Sequence, residues 1–336
     1  VEHRGVGMSR HDDDGADLPL DALTIEAVVD DLAAVLDDAG VASAVFYGAS
    51  YGTYLAAGVG VRHPERVHAM VLDSPLLSAD DIDVMRDAVR RVLWDGVPET
   101  AEIAVKVQQL VEKGLLTPNA ARLAADLYGL GGPELLGRQL DRLLEGRDWV
   151  WGAVGLGTRL LSQRATPFHN EPDLVGRIGY RELNYGAVPD GKPLDPAVAY
   201  REGATGEVDF VAEPFDLIAG MPGFSWPTAV LSGGRDLTTP RRVAERIVEL
   251  IPDAVLVAMP TTGHSVLDMK ERSALDVIAA VYAGEIHDLP NRAAQLEAMP
   301  SPLGVRMLKK AITAAAAAES VVPAVVPRAV RQVTAS

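Results

Sequence analysis

Val45-Phe46-Tyr47-Gly48-Ala49-Ser50-Tyr51-Gly52-Thr53-Tyr54-Leu55-Ala56 is the stretch around which the rest of the chain is organised. An apolar run enters Gly48, Ser50 stands between Gly48 and Gly52, and small and apolar residues continue to about Arg62. The order predicts a strand, a sharp turn with a serine at its apex, and a helix, which is the form of the G-x-S-x-G nucleophile elbow. At such an apex the serine backbone is strained, and a Cβ at either flanking glycine is expected to collide with the strand or the helix. The N-terminus of the following helix points free N–H groups at whatever binds above the serine. An ordinary glycine-rich turn capped by a serine has the same five residues, so the neighbouring elements must decide.

Outward from the elbow, the chain alternates. Ile25, Val28, Val29, Leu32, Val35 and Leu36 have the spacing of an amphipathic helix, with Thr24 as its N-cap and Gly40 as its end. Val41–Tyr47 is the strand into the elbow, His63-Pro64 breaks the elbow helix, and Val67–Leu72 reads as another buried strand. Val1–Ser9 reads as a strand end entering a glycine turn, and His11–Asp21 as a polar loop. Strands alternating with helices at short intervals predict a parallel sheet covered by helices.

From Ser78 the alternation stops. Helical patterns cover Ile82–Leu93, Ala101–Lys113, Pro118–Tyr128 and Pro133–Leu144, and a Gly-, Pro- and Asp-rich loop is expected from Pro167 to Gly223. The alternation then resumes. Trp226–Ser232 and Ala254–Met259 read as strands, Pro240–Leu250 as a helix, and Val266–Tyr282 as one closing helix. This divides the chain into a core (1–78), a helical cap (79–222), the rest of the core (223–288) and a helical C-terminal extension (289–336). An inserted helical unit of this kind commonly covers a site. The last part, from Ser301, carries a local charge of +4 and the alanine run Ala314–Ala318, and reads as a surface helix with a frayed tail.

Composition narrows the function classes. The 336 residues carry 31 Lys and Arg against 47 Asp and Glu, a net charge of −16, which disfavours nucleic acid and anionic membrane as partners. There are no cysteines, so thiolate catalysis, disulfides and Cys-ligated zinc are excluded, and the balance leans toward the cytoplasm. No apolar run reaches the roughly 18 residues of a membrane helix. No metal or cofactor motif is present, since the glycine-rich turns lack the Lys-Ser/Thr of a phosphate loop. The expected partner is a small-molecule or peptide substrate, and oligomeric state is left open.

A serine nucleophile needs a base, and the base an orienting carboxylate. After an elbow the order is Ser, acid, His. Asp236 follows the strand ending at Ser232 in a Gly233-Gly234-Arg235-Asp236 turn, and His264 follows the next strand in Thr262-Gly263-His264. Both sit just past strand C-terminal ends, where doubly wound sheets place their sites. The plainer readings are that Asp236 caps the helix near Pro240 and that His264 is a surface histidine. His3, His63 and His68 are rival bases but do not have the required order. Asp73, after the strand Val67–Leu72, is the rival acid, and the glycine turn before Asp236 favours the latter.

Gly48–Ala56, the turn Arg4-Gly5-Val6-Gly7-Met8-Ser9, Gly234-Arg235-Asp236-Leu237-Thr238-Thr239-Pro240 and Thr262-Gly263-His264 together resemble the α/β-hydrolases of the prolyl and tripeptidyl aminopeptidase family. The resemblance covers about residues 1–78 and 223–285. It implies an α/β-hydrolase fold, a mostly parallel sheet with an inserted, mainly helical cap. It also implies a serine peptidase that releases residues from peptide N-termini, with Ser50, Asp236 and His264 as the triad. The Tyr51 backbone N–H would serve the oxyanion hole. Members carry a His-Gly-Gly-Pro-Gly-type loop upstream of the Arg4–Ser9 turn, so the resemblance implies that the early strands and that loop lie outside this chain. Members also hold the substrate ammonium with carboxylates under the cap. Glu182, in Tyr180-Arg181-Glu182-Leu183-Asn184-Tyr185, is the first candidate, with Glu207 and Glu213 as alternatives. The same triad would serve a carboxylesterase or lipase-like enzyme, and a hydrolase scaffold without a complete oxyanion hole could be a non-catalytic binding protein.

Overall fold

The computed structural model describes residues 2–117, 120–163, 171, 173–204, 206, 207 and 209–321. A four-stranded parallel sheet is built from β1 (Ala44–Ala49), β2 (Val67–Asp73), β3 (Thr228–Gly233) and β4 (Ala254–Met259), paired in that order. Helix α1 (Ile25–Asp38) precedes β1, and α2 (Tyr51–Arg62) leaves it through the elbow. Between β2 and β3 come α3 (Asp81–Arg90), α4 (Ala101–Glu112), α5 (Ala120–Leu144), α6 (Trp149–Gln163), α7 (Gly176–Leu183), α8 (Pro196–Gly203) and α9 (Leu217–Gly220). After β3 follow α10 (Arg241–Leu250), and after β4 α11 (Val266–Met269), α12 (Glu271–Tyr282), α13 (Leu289–Ala298) and α14 (Leu303–Val321).

The central strands β2 and β3 are buried on both faces because helices cover both, and the edge strands β1 and β4 are half-buried. Met70, Leu72 and Val230 pack with Ile25, Val29, Tyr54 and Ile247 on one face, whereas Ala69, Val71, Ala229 and Leu231 pack with Val277, Leu289 and Leu296 on the other. Alternate residues of one strand thus feed opposite clusters, as the two-residue period of a strand requires. A third cluster, including Leu93, Val107, Leu127, Leu136 and Leu140, belongs to the helices between β2 and β3, with Leu237 and Ile312 joining it. Register sets the working edge: Ala49 pairs with Asp73, Asp73 with Leu231, and Gly233 with Met259. Loops that leave these ends converge. Among the described residues, no helix is long and apolar enough to cross a membrane.

Several boundaries differ from the sequence expectation, each for a local reason. The first strand begins at Ala44, not Val41, because Val41 completes the end of α1. Gly40 takes φ +64, its N–H donates to Asp37 O, and the Val41 N–H donates to Leu36 O at 2.8 Å, a Schellman closure. Val1–Ser9 gives no strand among its described residues. Gly7–Arg10 is a 3-10 turn, with the Gly5 N–H donating to Ser9 O. The loop expected over 167–223 contains α7, α8 and α9. Asp195 caps α8 through the Ala197 N–H and Asp216 caps α9 through the Ala219 N–H, so the prolines and aspartates that suggested a loop are helix starts. Helix α5 joins the two helices expected on either side of Gly131-Gly132 and kinks there; Pro118 lies outside the described residues. The closing helix breaks at Lys270, whose ammonium donates to Glu297 O and Met299 O. Helix α13 buries Leu289 and Leu296 against the sheet, so the core continues past residue 288. Helix α14 is a mostly exposed surface helix, as expected, but it is docked on the body by a few residues. Ile312 and Ala316 are buried, and the Glu319 carboxylate accepts the Trp149 N–H at the start of α6. The tail beyond Val321, with Arg328 and Arg331, lies outside the described residues.

The two elbow glycines prove unequal. A Cβ on Gly48 would sit 2.2 Å from Gly52 O, because the first turn of α2 crosses directly over it. A Cβ on Gly52 would meet nothing within 4 Å, so the expected collision at that position does not occur. Gly48→Ala is therefore expected to destabilise the fold markedly, whereas Gly52→Ala should leave the melting temperature unchanged or raise it, since alanine favours a helix by about 0.5–1 kcal/mol over glycine. Thermal denaturation of the two variants side by side checks this, and equal losses would contradict it.

Candidate active site

Ser50 occupies the turn between β1 and α2 with φ 74 and ψ −113, a backbone conformation that side-chain-bearing residues rarely adopt. The surroundings hold it there. The Ser50 N–H donates to Asp73 O at 2.9 Å, and Ser50 O accepts from the Thr53 N–H (3.0 Å) and the Thr53 hydroxyl (2.6 Å). Three clamps on one residue are what sustained strain at a functional turn requires.

Asp236 lies in the turn after β3 and is buried, with 3% of its surface exposed. Oδ1 accepts the Thr238 and Thr239 N–H groups, both at 2.9 Å, and Oδ2 accepts the Thr239 hydroxyl at 2.7 Å. The same Oδ2 lies 2.9 Å from His264 Nδ1, and His264 Nε2 lies 2.9 Å from Ser50 Oγ. In the neutral tautomer that fits, Nδ1–H donates to Asp236 and the Ser50 hydroxyl donates to Nε2. The structure thus brings Ser50, His264 and Asp236 into one hydrogen-bonded line, from three separate loops on the C-terminal edge of the sheet.

Electrostatics follow the geometry. Burial alone would push the His264 imidazole down. The Asp236 charge and hydrogen bond, helped by Asp73 and Asp126, outweigh it, and the result is a shift upward from the ordinary value of 6.5. Burial likewise pushes Asp236 up, but the His264 charge and the bonds from His264 and Thr239 prevail and hold it below 3.8. Asp236 therefore keeps its charge wherever His264 has lost its own.

Asp73, the rival acid, does other work. Its carboxylate accepts the Val266 and Leu267 N–H groups and the Tyr47 hydroxyl, at 2.9, 2.9 and 2.8 Å. Beside it, Ser74 Oγ accepts the Ser265 N–H at 2.9 Å. Ser74 and Ser265 both have positive φ, 55 and 63. The end of β2 is thus bolted to the three residues after His264, so Asp73 and Ser74 position the imidazole without touching Ser50 through a side-chain bond. Burial raises the Asp73 carboxyl, against its three hydrogen bonds. The sequence signal was present in an aspartate ending a buried strand, but it was ambiguous between acid and clamp.

The other histidines are elsewhere. His63 pairs with Asp30 at 2.8 Å, and His68 is exposed on β2. His3 Nε2 shares a 3.1 Å hydrogen bond with the Tyr51 hydroxyl. Tyr51 begins α2, where backbone N–H groups have no partner within the helix.

Glu182 is placed differently from the expectation. It is buried and accepts the Ile25 N–H at 2.8 Å through one oxygen and the Arg181 guanidinium through the other, so it fastens α7 to the start of α1. It is absent from the walls of the cavity beside Ser50. Glu207 lines a separate surface cavity with Leu20 and Arg177, and Glu213 accepts the Tyr54 hydroxyl at 3.2 Å. The carboxylate that does line the Ser50 cavity is Asp81, at the start of α3. That cavity is walled by Leu76, Ile82, Met85, Leu183, Tyr185 and Tyr200, besides Ser50 and Asp81. Burial pushes Asp81 up to about 6, against the Leu77 and Ser78 N–H groups that it accepts. Asp81 is the first residue of α3, one position before the helix expected from the sequence.

With this geometry in hand, comparison with known proteins is consistent in fold. Residues 1–104 match a family described as alpha/beta hydrolase fold. No sequence among curated proteins matches the chain. Solved structures that it resembles include a proline iminopeptidase from Mycobacterium smegmatis, 18% identical, with 82% of this chain and 76% of that one covered and a TM-score of 0.46. An esterase from Exiguobacterium antarcticum is 14% identical, with 83% and 79% covered and a TM-score of 0.40. Est816, described as an N-acyl homoserine lactone degrading enzyme, is 18% identical, with 83% and 80% covered and a TM-score of 0.41. The chain has the α/β-hydrolase fold.

Proposed function

We propose that the chain is a serine hydrolase that releases residues from the N-termini of peptides. The observation that carries the proposal is the Ser50–His264–Asp236 line, with both 2.9 Å contacts to the imidazole in place. His264 Nε2 takes the Ser50 proton as Oγ bonds to the acyl carbon, and Asp236 stabilises the imidazolium. The Tyr51 N–H donates to the developing oxyanion. His264 then gives the proton to the leaving amine as the C–N bond breaks, and a water molecule, activated the same way, releases the acyl group. The helices over 79–222 act as the cap on this site. Asp81 is the group in the Ser50 cavity suited to a substrate ammonium, and it replaces Glu182 in that role.

The apolar lining from Leu76, Ile82, Met85 and Leu183 supports a second reading, an esterase for acyl chains. A panel of aminoacyl amides and short-chain esters, free and N-blocked, separates them. The peptidase reading expects the free aminoacyl amides to be preferred over their N-acetyl forms, and indifference to the blocking group would contradict it.

The pH dependence has a definite sign. A protonated His264 cannot accept the Ser50 proton, so kcat/KM should rise with pH through an inflection above 6.5. Asp81 loses its charge as pH falls through about 6, so KM for a cationic substrate should climb below that point. Stopped-flow or plate assays between pH 5 and 9 read both, and an inflection below 6.5 would contradict the Asp236 coupling.

A further inference from the structure

A second, small cavity opens beside the first and shares Met85, Tyr200 and Thr238 with it. Its charged residues are Arg122 and Asp126, one turn apart on α5 and both solvent-accessible. The Arg122 guanidinium lies over the Tyr200 ring, 5.0 Å from its centroid. Among the described residues, no carboxylate approaches it within ion-pair distance and none of its N–H groups has a hydrogen-bond partner. Other arginines of this acidic chain are engaged. Arg86 holds Asp195, Asp83 and Val188 O, Arg10 holds Asp17 and Asp173, and Arg4 holds Asp31. A guanidinium seated on an aromatic face keeps its N–H edge free, and that edge matches a carboxylate.

We propose that Arg122 is a substrate-binding residue that receives the free carboxylate of a short peptide whose acyl bond lies at Ser50. The two cavities are neighbours that share Met85, Tyr200 and Thr238, with Ser50 and Asp81 lining one and Arg122 lining the other. Asp126 lines the same cavity one turn along α5. The assignment rests on Ser50 as the nucleophile, but its test does not use turnover.

The test is calorimetric titration of the Ser50→Ala protein with alanyl-leucine and with alanyl-leucinamide. The carboxylate form should bind about tenfold or more tightly than the amide. Ser50→Ala/Arg122→Gln should lose that preference while its affinity for the amide is unchanged, which also shows that the fold is retained. Ser50→Ala/Arg122→Lys should recover part of it, as a point charge without the guanidinium fork. Equal affinities in the Ser50→Ala protein, a preference that survives Arg122→Gln, or no binding of either peptide would each overturn the proposal. Turnover by the unmodified chain reads the hydrolase assignment separately, so an inert Ser50 with the carboxylate preference intact would sink that assignment and uphold this one.

Discussion

Replacing His264 by alanine is expected to lower kcat by roughly 10⁴–10⁶-fold, with KM little changed. Among the described residues, the imidazole is the one group within hydrogen-bond distance of Ser50 Oγ through a side-chain nitrogen, and Ser50 without it is an alcohol with no acceptor for its proton. The fold should survive. His264 reaches across the loops through its side chain, whereas the loop itself is held by Asp73 and Ser74 through the backbone of residues 265–267. Because the groups of such a relay act as a unit, adding Ser50→Ala to His264→Ala should cost almost nothing more. Steady-state kinetics on the three proteins checks this. Losses that multiply would mean that Ser50 and His264 act independently.

Asp73→Ala should cause the next largest change, on stability and on rate together. It removes the acceptor of the buried Val266 N–H, of the partly buried Leu267 N–H and Tyr47 hydroxyl, and of the Ser74 hydroxyl. An unsatisfied buried donor costs about 1–3 kcal/mol, so the variant should lose several kcal/mol of stability. Two of these bonds fix the chain just beyond Ser265, and a shift of about 1 Å in His264 would cost on the order of 10²-fold in kcat. Asp73→Asn keeps one acceptor oxygen and should recover part of both losses. Chemical denaturation and kcat per folded molecule separate the roles. If stability falls while kcat per folded molecule holds, Asp73 is a structural anchor and does not position the base.

How much of this was legible in the sequence follows from where the information sits. The elbow, the order of strands and the Ser, Asp, His order are local or sequential features, and periodicity and turn residues encode them directly. Asp236 and His264 were readable because each follows a buried strand in a glycine turn. Glu182 and Asp81 were not. Both are acidic residues on helices between β2 and β3, and which of them lines the cavity beside Ser50 depends on how α3 and α7 pack on the core, a tertiary fact without a local pattern. The short helices α7, α8 and α9 were obscured because Asp195, Pro196 and Asp216 serve loops and helix starts equally well. Gly52 misled in the other direction. The steric load of the elbow falls on Gly48 alone, since α2 crosses over that residue and turns away from the other.

The central claim is that Ser50 is an activated nucleophile. Incubating the chain with a fluorophosphonate probe and mapping the modified residue by peptide mass spectrometry tests it most directly. The account predicts close to one label per chain, located on Ser50, with labelling abolished in Ser50→Ala and strongly slowed in His264→Ala. A folded chain that stays unlabelled at Ser50, or that labels equally fast without His264, would contradict it.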